Sequence, residues 1–97
     1  MFSNLRRALG LGASRRGDLH FVMFTRQGCH LCDEAWALLE RYQKKHGFIL
    51  EKTDVDTDPA LVAKHGNCVP VVVINGEVRF RGKVNEVLLT RIVDQRQ

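Results

Sequence analysis

Residues 19–32 read LHFVMFTRQGCHLC, and this stretch decides the architecture. Its first seven residues, Leu19 to Thr25, are bulky and apolar without alternation, the pattern of a strand buried on both faces of a parallel or mixed sheet. The run breaks at Arg26-Gln27-Gly28. Beyond Cys29, the apolar residues Ala35, Leu38, Leu39 and Tyr42 return at helical spacing, and the segment 30–46 closes on Lys44, Lys45 and His46, followed by Gly47. Cations in the last turn meet the negative end of a helix, and a glycine just past it supplies the residue that ends it. A buried strand therefore feeds a helix, with a glycine and two cysteines at the junction.

Working outward, Phe48 to Val55 predicts a second strand, with Asp54-Val55-Asp56 as its exit. Asp58-Pro59 supplies an N-cap followed by proline at the first helical position, where its missing N–H costs nothing, so Ala60 to His65 reads as a short helix closed by Gly66. Pro70 to Ile74 is strand-like, and Asn75-Gly76 is a strong hairpin signal leading into Glu77 to Arg81. After Gly82, the set Val84, Val87, Leu88 and Ile92 spells a terminal helix. The order is β-α-β-α-β-β-α. A right-handed crossover makes the first two strands parallel and the hairpin makes the last two antiparallel. The expected fold is α/β, a four-stranded mixed sheet flanked by helices.

Ninety-seven residues leave room for one domain. With 44% hydrophobic and 27% charged residues, the composition is that of a globular chain. No stretch approaches the roughly 18 apolar residues of a membrane helix, so no membrane span is expected. The net charge of +4 invites a nucleic-acid reading, but Arg6, Arg7, Arg15 and Arg16 lie in the first 17 residues, which hold no acid. Residues 18–97 are therefore electrically balanced, without the basic face or aromatic platform that nucleic-acid binding requires. Residues 1–17 are expected to form a basic, flexible arm. Its Phe2, Leu5, Leu9 and Leu11 also leave open an amphipathic helix or an organelle transit peptide. Residues 18–97 form the domain. Three cysteines are too few for a secreted disulfide framework and no signal-peptide pattern precedes them, so a cytoplasmic location is expected.

The segment Gly28-Cys29-His30-Leu31-Cys32 sets two thiols three residues apart where a strand gives way to a helix. Cys29 is expected to project beyond the helix N-terminus, facing unpaired N–H groups and the positive dipole end, with Cys32 in the first turn beneath it. That environment favours a thiolate at Cys29 and makes it the attacking nucleophile; Cys32 then resolves the mixed disulfide. Arg26 and His30 are candidate tuning groups, His30 only as imidazolium, and Asp33 and Glu34 oppose them. Two bland readings stay open: inert packing of small thiols, and half of a metal site completed from Cys68, His30 or His65. No second C-x-x-C or His pair supports the metal, and none is expected. The position of the pair, after a buried strand and at a helix start, favours redox chemistry.

The second constellation is Asn67-Cys68-Val69-Pro70. Proline at a strand start is tolerated where that end is unpaired, and its X-Pro bond is open to either isomer. A cis bond would expose the N–H and C=O of Val69 as a short edge for an extended peptide or tripeptide.

With these two constellations in place, the chain resembles the glutaredoxin-like branch of the thioredoxin fold. The resemblance covers residues 19–93 and is carried by TRQGCHLCDEA, DVDTDPAL and VPVVVING. It implies a thiol–disulfide oxidoreductase with Cys29 as nucleophile, Cys32 as resolving thiol and Pro70 as the cis-proline beside them. Glutaredoxins hold glutathione with a cation before the C-x-x-C, the backbone before the cis-proline and a Gly-Gly-x-x-Asp stretch opening the last helix. Arg26 stands at the cation, Val69 at the backbone clamp, and Arg81-Gly82-Lys83-Val84-Asn85 at the last stretch. Arg81 replaces the first glycine, and Asn85 stands where an acid would meet the glutathione amine. Losing that charge removes a hydrogen bond worth roughly 1.5–3 kcal/mol when well formed, which implies poor glutathione binding. Cys68 replaces a usual threonine and is either a third redox partner or a buried free thiol. Trp36 is expected to pack.

The leading expectation is a small monomeric dithiol oxidoreductase that reduces protein or glutathione mixed disulfides, with glutathione as co-substrate and no required cofactor. A redox-inactive binding module using the Val69 edge and an iron–sulfur carrier are the alternatives.

Overall fold

The computed structural model describes residues 17–94, so the basic arm expected over residues 1–17 lies outside the described residues except for Gly17. The elements run β1 (His20–Thr25), α1 (His30–His46), β2 (Ile49–Asp54), a 3₁₀ turn (Val55–Thr57), α2 (Pro59–His65), β3 (Val71–Ile74), β4 (Glu77–Arg81) and α3 (Glu86–Asp94). The sheet order is β2-β1-β3-β4. β1 pairs parallel with β2 and antiparallel with β3, and β3 pairs antiparallel with β4. This is the four-stranded mixed sheet that the sequence pattern predicts, and among the described residues no helix is long and apolar enough to cross a membrane.

Side chains alternate across the strands, so Phe21 and Met23 of β1, Val72 and Ile74 of β3 and Phe80 of β4 share one face. That face is buried together with Ala35 and Leu39 of α1 and Leu89, Ile92 and Val93 of α3, and Phe21 stacks on Phe48 with ring centroids 4.0 Å apart. The opposite face is covered less completely. There α2 spans only seven residues; Phe24 stacks on His65 at 4.8 Å, and Val22 and Phe24 stay half-buried. The expectation of a β1 buried on both faces is thus met on one face and only in part on the other, because a two-turn helix is shorter than the strand it covers.

The terminal helix differs from its expected phase. Its buried residues are Leu89, Ile92 and Val93, whereas Val87 is 67% exposed. The helix starts at Glu86, with Asn85 Oδ1 accepting the Leu88 N–H at 3.0 Å, and Val84 is buried ahead of it. From that start, residues 89, 92 and 93 share the inward stripe at i, i+3 and i+4 spacing. Tyr42 Oη ties α1 to α3, donating to Glu86 at 2.8 Å and sharing a hydrogen bond with Thr90 at 2.9 Å.

The register brings one end of the sheet together. Thr25 lies opposite Asp54, Phe24 opposite Val71, and Val71 opposite Arg81. The last residues of β1, β2 and β4 and the first of β3 therefore converge, and the loops that leave β1, enter β3 and leave β4 there bear the candidate functional residues.

Candidate active site

The loop from β1 to α1 turns at Gly28, whose φ of +81° lies in the left-handed region that side chains disfavour. Cys29 follows in an extended conformation as the N-cap of α1. Its Sγ accepts the Cys32 N–H at 3.1 Å, and its carbonyl accepts the Asp33 N–H at 3.1 Å. The two sulfurs stand at disulfide distance, with Cα atoms 5.2 Å apart. Burial separates them: Cys32 is 1% exposed and belongs to the main apolar cluster, whereas Cys29 is half-buried at its rim. His30 and Leu31 are exposed between them. Trp36, one turn beyond Cys32, packs at the cluster's edge with Lys52 Nζ 4.4 Å from its ring.

Arg26 bridges two elements through all three of its side-chain nitrogens. Its Nε and Nη2 donate to the Asp56 carboxylate at 3.0–3.2 Å, and its Nη1 donates to the Gly66 carbonyl at 3.1 Å. The hydrogen bonds and charge of Asp56 hold the guanidinium above its ordinary pKa, against a smaller opposing effect of burial. Asp56 is held in turn, its N–H bound to Asp54 Oδ1 at 2.9 Å. Arg26 is thus a strut joining the β1 exit, the 3₁₀ turn and the end of α2.

On the other side, the Val69–Pro70 peptide bond is cis, and Val69 packs against the same apolar cluster as Cys29. The loop is anchored at both ends. The His65 carbonyl accepts the Cys68 N–H at 3.0 Å and the Cys68 thiol at 3.6 Å, while the Pro70 carbonyl accepts the Gly82 N–H at 2.7 Å. Cys68 is a free, half-buried thiol with Arg81 Nη1 3.9 Å from its sulfur. His65 is 3% exposed and its Nδ1 has no hydrogen-bond partner. Its pKa is lowered, first by burial and then by the charges of Lys64 and Arg81.

The fold therefore gathers Cys29, Cys32, Val69 and Pro70 at the sheet end, with Cys68 and Gly82 bonded into the adjoining loop. It directs Arg26 to Asp56 and uses the Asn85 side chain to start α3. The family description of the glutaredoxin-like domain (DUF836) matches residues 20–93. The chain belongs to this family. Among solved structures, the glutaredoxin-like domain is similar to protein Ne2328 from Nitrosomonas europaea, with 28% identity and a TM-score of 0.67 over 76% of this chain and 89% of that one. It also resembles the thioredoxin of Fasciola hepatica, at 24% identity and a TM-score of 0.58 over 94% of this chain and 89% of that one. Thioredoxin-2 of the malaria parasite matches at 20% identity and a TM-score of 0.60, over 77% and 80% of the two chains. The two thioredoxins show the fold alone. No curated protein matches the sequence.

Three residues of the glutaredoxin-like domain gain roles that sequence reasoning did not give them. Asp56 neutralises Arg26. Gly66 is buried where a Cβ would lie 2.6 Å from the Val62 carbonyl oxygen and 3.3 Å from Arg26 Nη1, so close approach requires glycine there. His65 packs under the Cys68 loop, stacked on Phe24, with its carbonyl holding the Cys68 N–H. The contacts of Asp56 and Gly66 with Arg26 span 30 and 40 positions, and no local motif announces them.

Proposed function

We propose that this glutaredoxin-like domain is a dithiol oxidoreductase that reduces protein disulfides or glutathione mixed disulfides, with Cys29 as nucleophile and Cys32 as resolving thiol. The observation that supports this most is the asymmetry of the pair. Cys29 sits half-exposed at the helix start with a backbone N–H aimed at its sulfur, and Cys32 is buried one turn in. A thiolate at Cys29 gains a hydrogen bond and the positive end of α1, without moving any side chain.

In the first step the Cys29 thiolate attacks one sulfur of the substrate disulfide. A Cys29–substrate bond forms, the substrate S–S bond breaks, and the departing sulfur leaves with the electron pair and takes a proton from water. In the second step Cys32, deprotonated, attacks Cys29 Sγ. The Cys29–Cys32 bond forms, the mixed disulfide breaks, and the second substrate thiol is released. The substrate gains two electrons and the domain is left oxidised; two equivalents of an external thiol, glutathione as co-substrate, return it. Val69 is assigned the docking edge for extended substrate. The chemistry requires no resident metal or cofactor, and it suits a monomer in the reducing cytoplasm.

A redox titration in glutathione buffers, read by thiol-specific mass labelling, tests this proposal. A reversible Cys29–Cys32 disulfide with a potential of roughly −200 to −270 mV is expected. Cys29→Ser should abolish reduction and Cys32→Ser should accumulate mixed disulfide. Thiols that stay reduced throughout, or the reverse variant pattern, would refute the assignment.

A further inference from the structure

We infer that Arg81 is a specificity-determining residue that favours disulfides flanked by a carboxylate. The inference rests on the oxidoreductase reading above and adds a substrate class to it. Of the two arginines at this end of the sheet, Arg26 makes four hydrogen bonds to Asp56 and Gly66 and is ion-paired with the Asp56 carboxylate. Arg81 is exposed, and among the described residues no carboxylate lies within ion-pair distance of its side chain. Its one polar contact, to Cys68 Sγ at 3.9 Å, is long and leaves most of the guanidinium's five donors unspent.

Arg81 is fixed where a substrate would pass. It pairs with Val71 across the sheet, and the next residue donates its N–H to the Pro70 carbonyl. The Arg81 backbone is thereby fixed beside Pro70 and Val71, and its guanidinium reaches Cys68, on the β4 side of the site, while Arg26, paired with Asp56, lies on the β2 side. Lys83 is exposed two residues on and adds the same sign. A polypeptide laid along Val69 from Cys29 would bring the residues next to its own cysteine to this cation. A carboxylate there accepts two parallel N–H bonds from the planar fork, a geometry that an amide or hydroxyl does not match. Two sources offer that chemistry, an aspartate or glutamate beside a protein cysteine and a carboxylate of glutathione.

The test compares wild-type domain with Arg81→Gln and Arg81→Glu on four disulfides: β-hydroxyethyl disulfide, which has no charge, a peptide disulfide flanked by glutamate, the same peptide flanked by glutamine, and oxidised glutathione. Arg81→Gln should lower kcat/KM about 5-fold on the glutamate peptide, mostly through KM, and leave the two uncharged substrates unchanged. Arg81→Glu should invert the preference between the peptides. An equal loss on oxidised glutathione supports a shared carboxylate site, and a loss confined to the peptide supports a protein carboxylate. Equal losses on all four substrates, or no preference for glutamate in the wild type, would overturn the inference while the oxidoreductase stands. Inactivity of the wild type on every disulfide would overturn both.

Discussion

Replacing His65 with phenylalanine should remove a pH dependence from the stability of this domain. The imidazole is 3% exposed, stacks on Phe24 and leaves Nδ1 without a partner. Burial, Lys64 and Arg81 all disfavour its protonation, so the folded pKa lies below the ordinary value of 6.5. Above that value neither state holds the proton and His65 contributes no pH dependence. As pH falls below it the unfolded chain takes up a proton that the folded domain resists, and stability declines until the folded pKa is passed. At pH 5.5 the loss has a ceiling of about 1.4 kcal/mol, reached if the folded ring stays neutral there. At pH 7.5 the phenyl ring removes an orphaned polar atom worth about 1–3 kcal/mol, and its larger volume costs a similar amount in overpacking. The two proteins should therefore agree within about 1 kcal/mol at that pH. Urea denaturation followed by circular dichroism at pH 5.5 and 7.5 reads both quantities, and the other histidines cancel in the comparison. An unchanged pH slope in the variant would show that His65 is not the linked group.

Four further outcomes are expected. Gly66→Ala should destabilise by about 1–3 kcal/mol, because the added Cβ meets the Val62 carbonyl; at its φ of −55° an unhindered alanine would stabilise by about 0.4–1 kcal/mol, so the sign of the shift in urea midpoint decides. Tyr42→Phe should cost about 1–2 kcal/mol by cutting the tie from α1 to Glu86 and Thr90, with disulfide reduction per folded molecule unchanged. Asn85→Asp should keep the cap on Leu88, add about 0.3–1 kcal/mol at the helix start and tighten glutathione binding; an unaltered Kd by calorimetry would remove the role assigned to that position. The reduction potential should be nearly the same at low and high salt, whereas the preference for carboxylate-flanked disulfides should fade as the Debye length drops from about 10 Å at 0.1 M to about 3 Å at 1 M.

The parts of the site that could be read from the chain are those whose causes are local. A bulky apolar run, a glycine at the turn and cysteines at the first helical positions place Cys29 as the N-cap of α1 and Cys32 beneath it, without reference to any distant residue. The hairpin at Asn75-Gly76 is local in the same sense, with Asn75 at φ +51°. In the expected stripe of α3, Val84 and Ile92 are buried as predicted while Val87 and Leu88 face outward, and Leu89 and Val93 take the inward places beside Ile92. The pairing of Arg26 with Asp56 and Gly66 depends on how two loops and a helix end meet across the sheet. Spacing along the chain holds no trace of that meeting, so the sequence marks Arg26 as a candidate cation without showing that Asp56 pairs with it.

That strut separates two tasks which a single free cation would have merged. With the Arg26 charge met by Asp56, the thiolate proposed at Cys29 would rest on backbone groups: the Cys32 N–H and the open end of α1. Those groups are fixed by the fold and keep their orientation whatever the substrate. Recognition by charge then falls to Arg81, on a different strand and exposed to solvent, where it can be altered without disturbing the sulfur chemistry. Substitution at Arg81 should consequently change which disulfides are reduced and leave the potential of the pair in place.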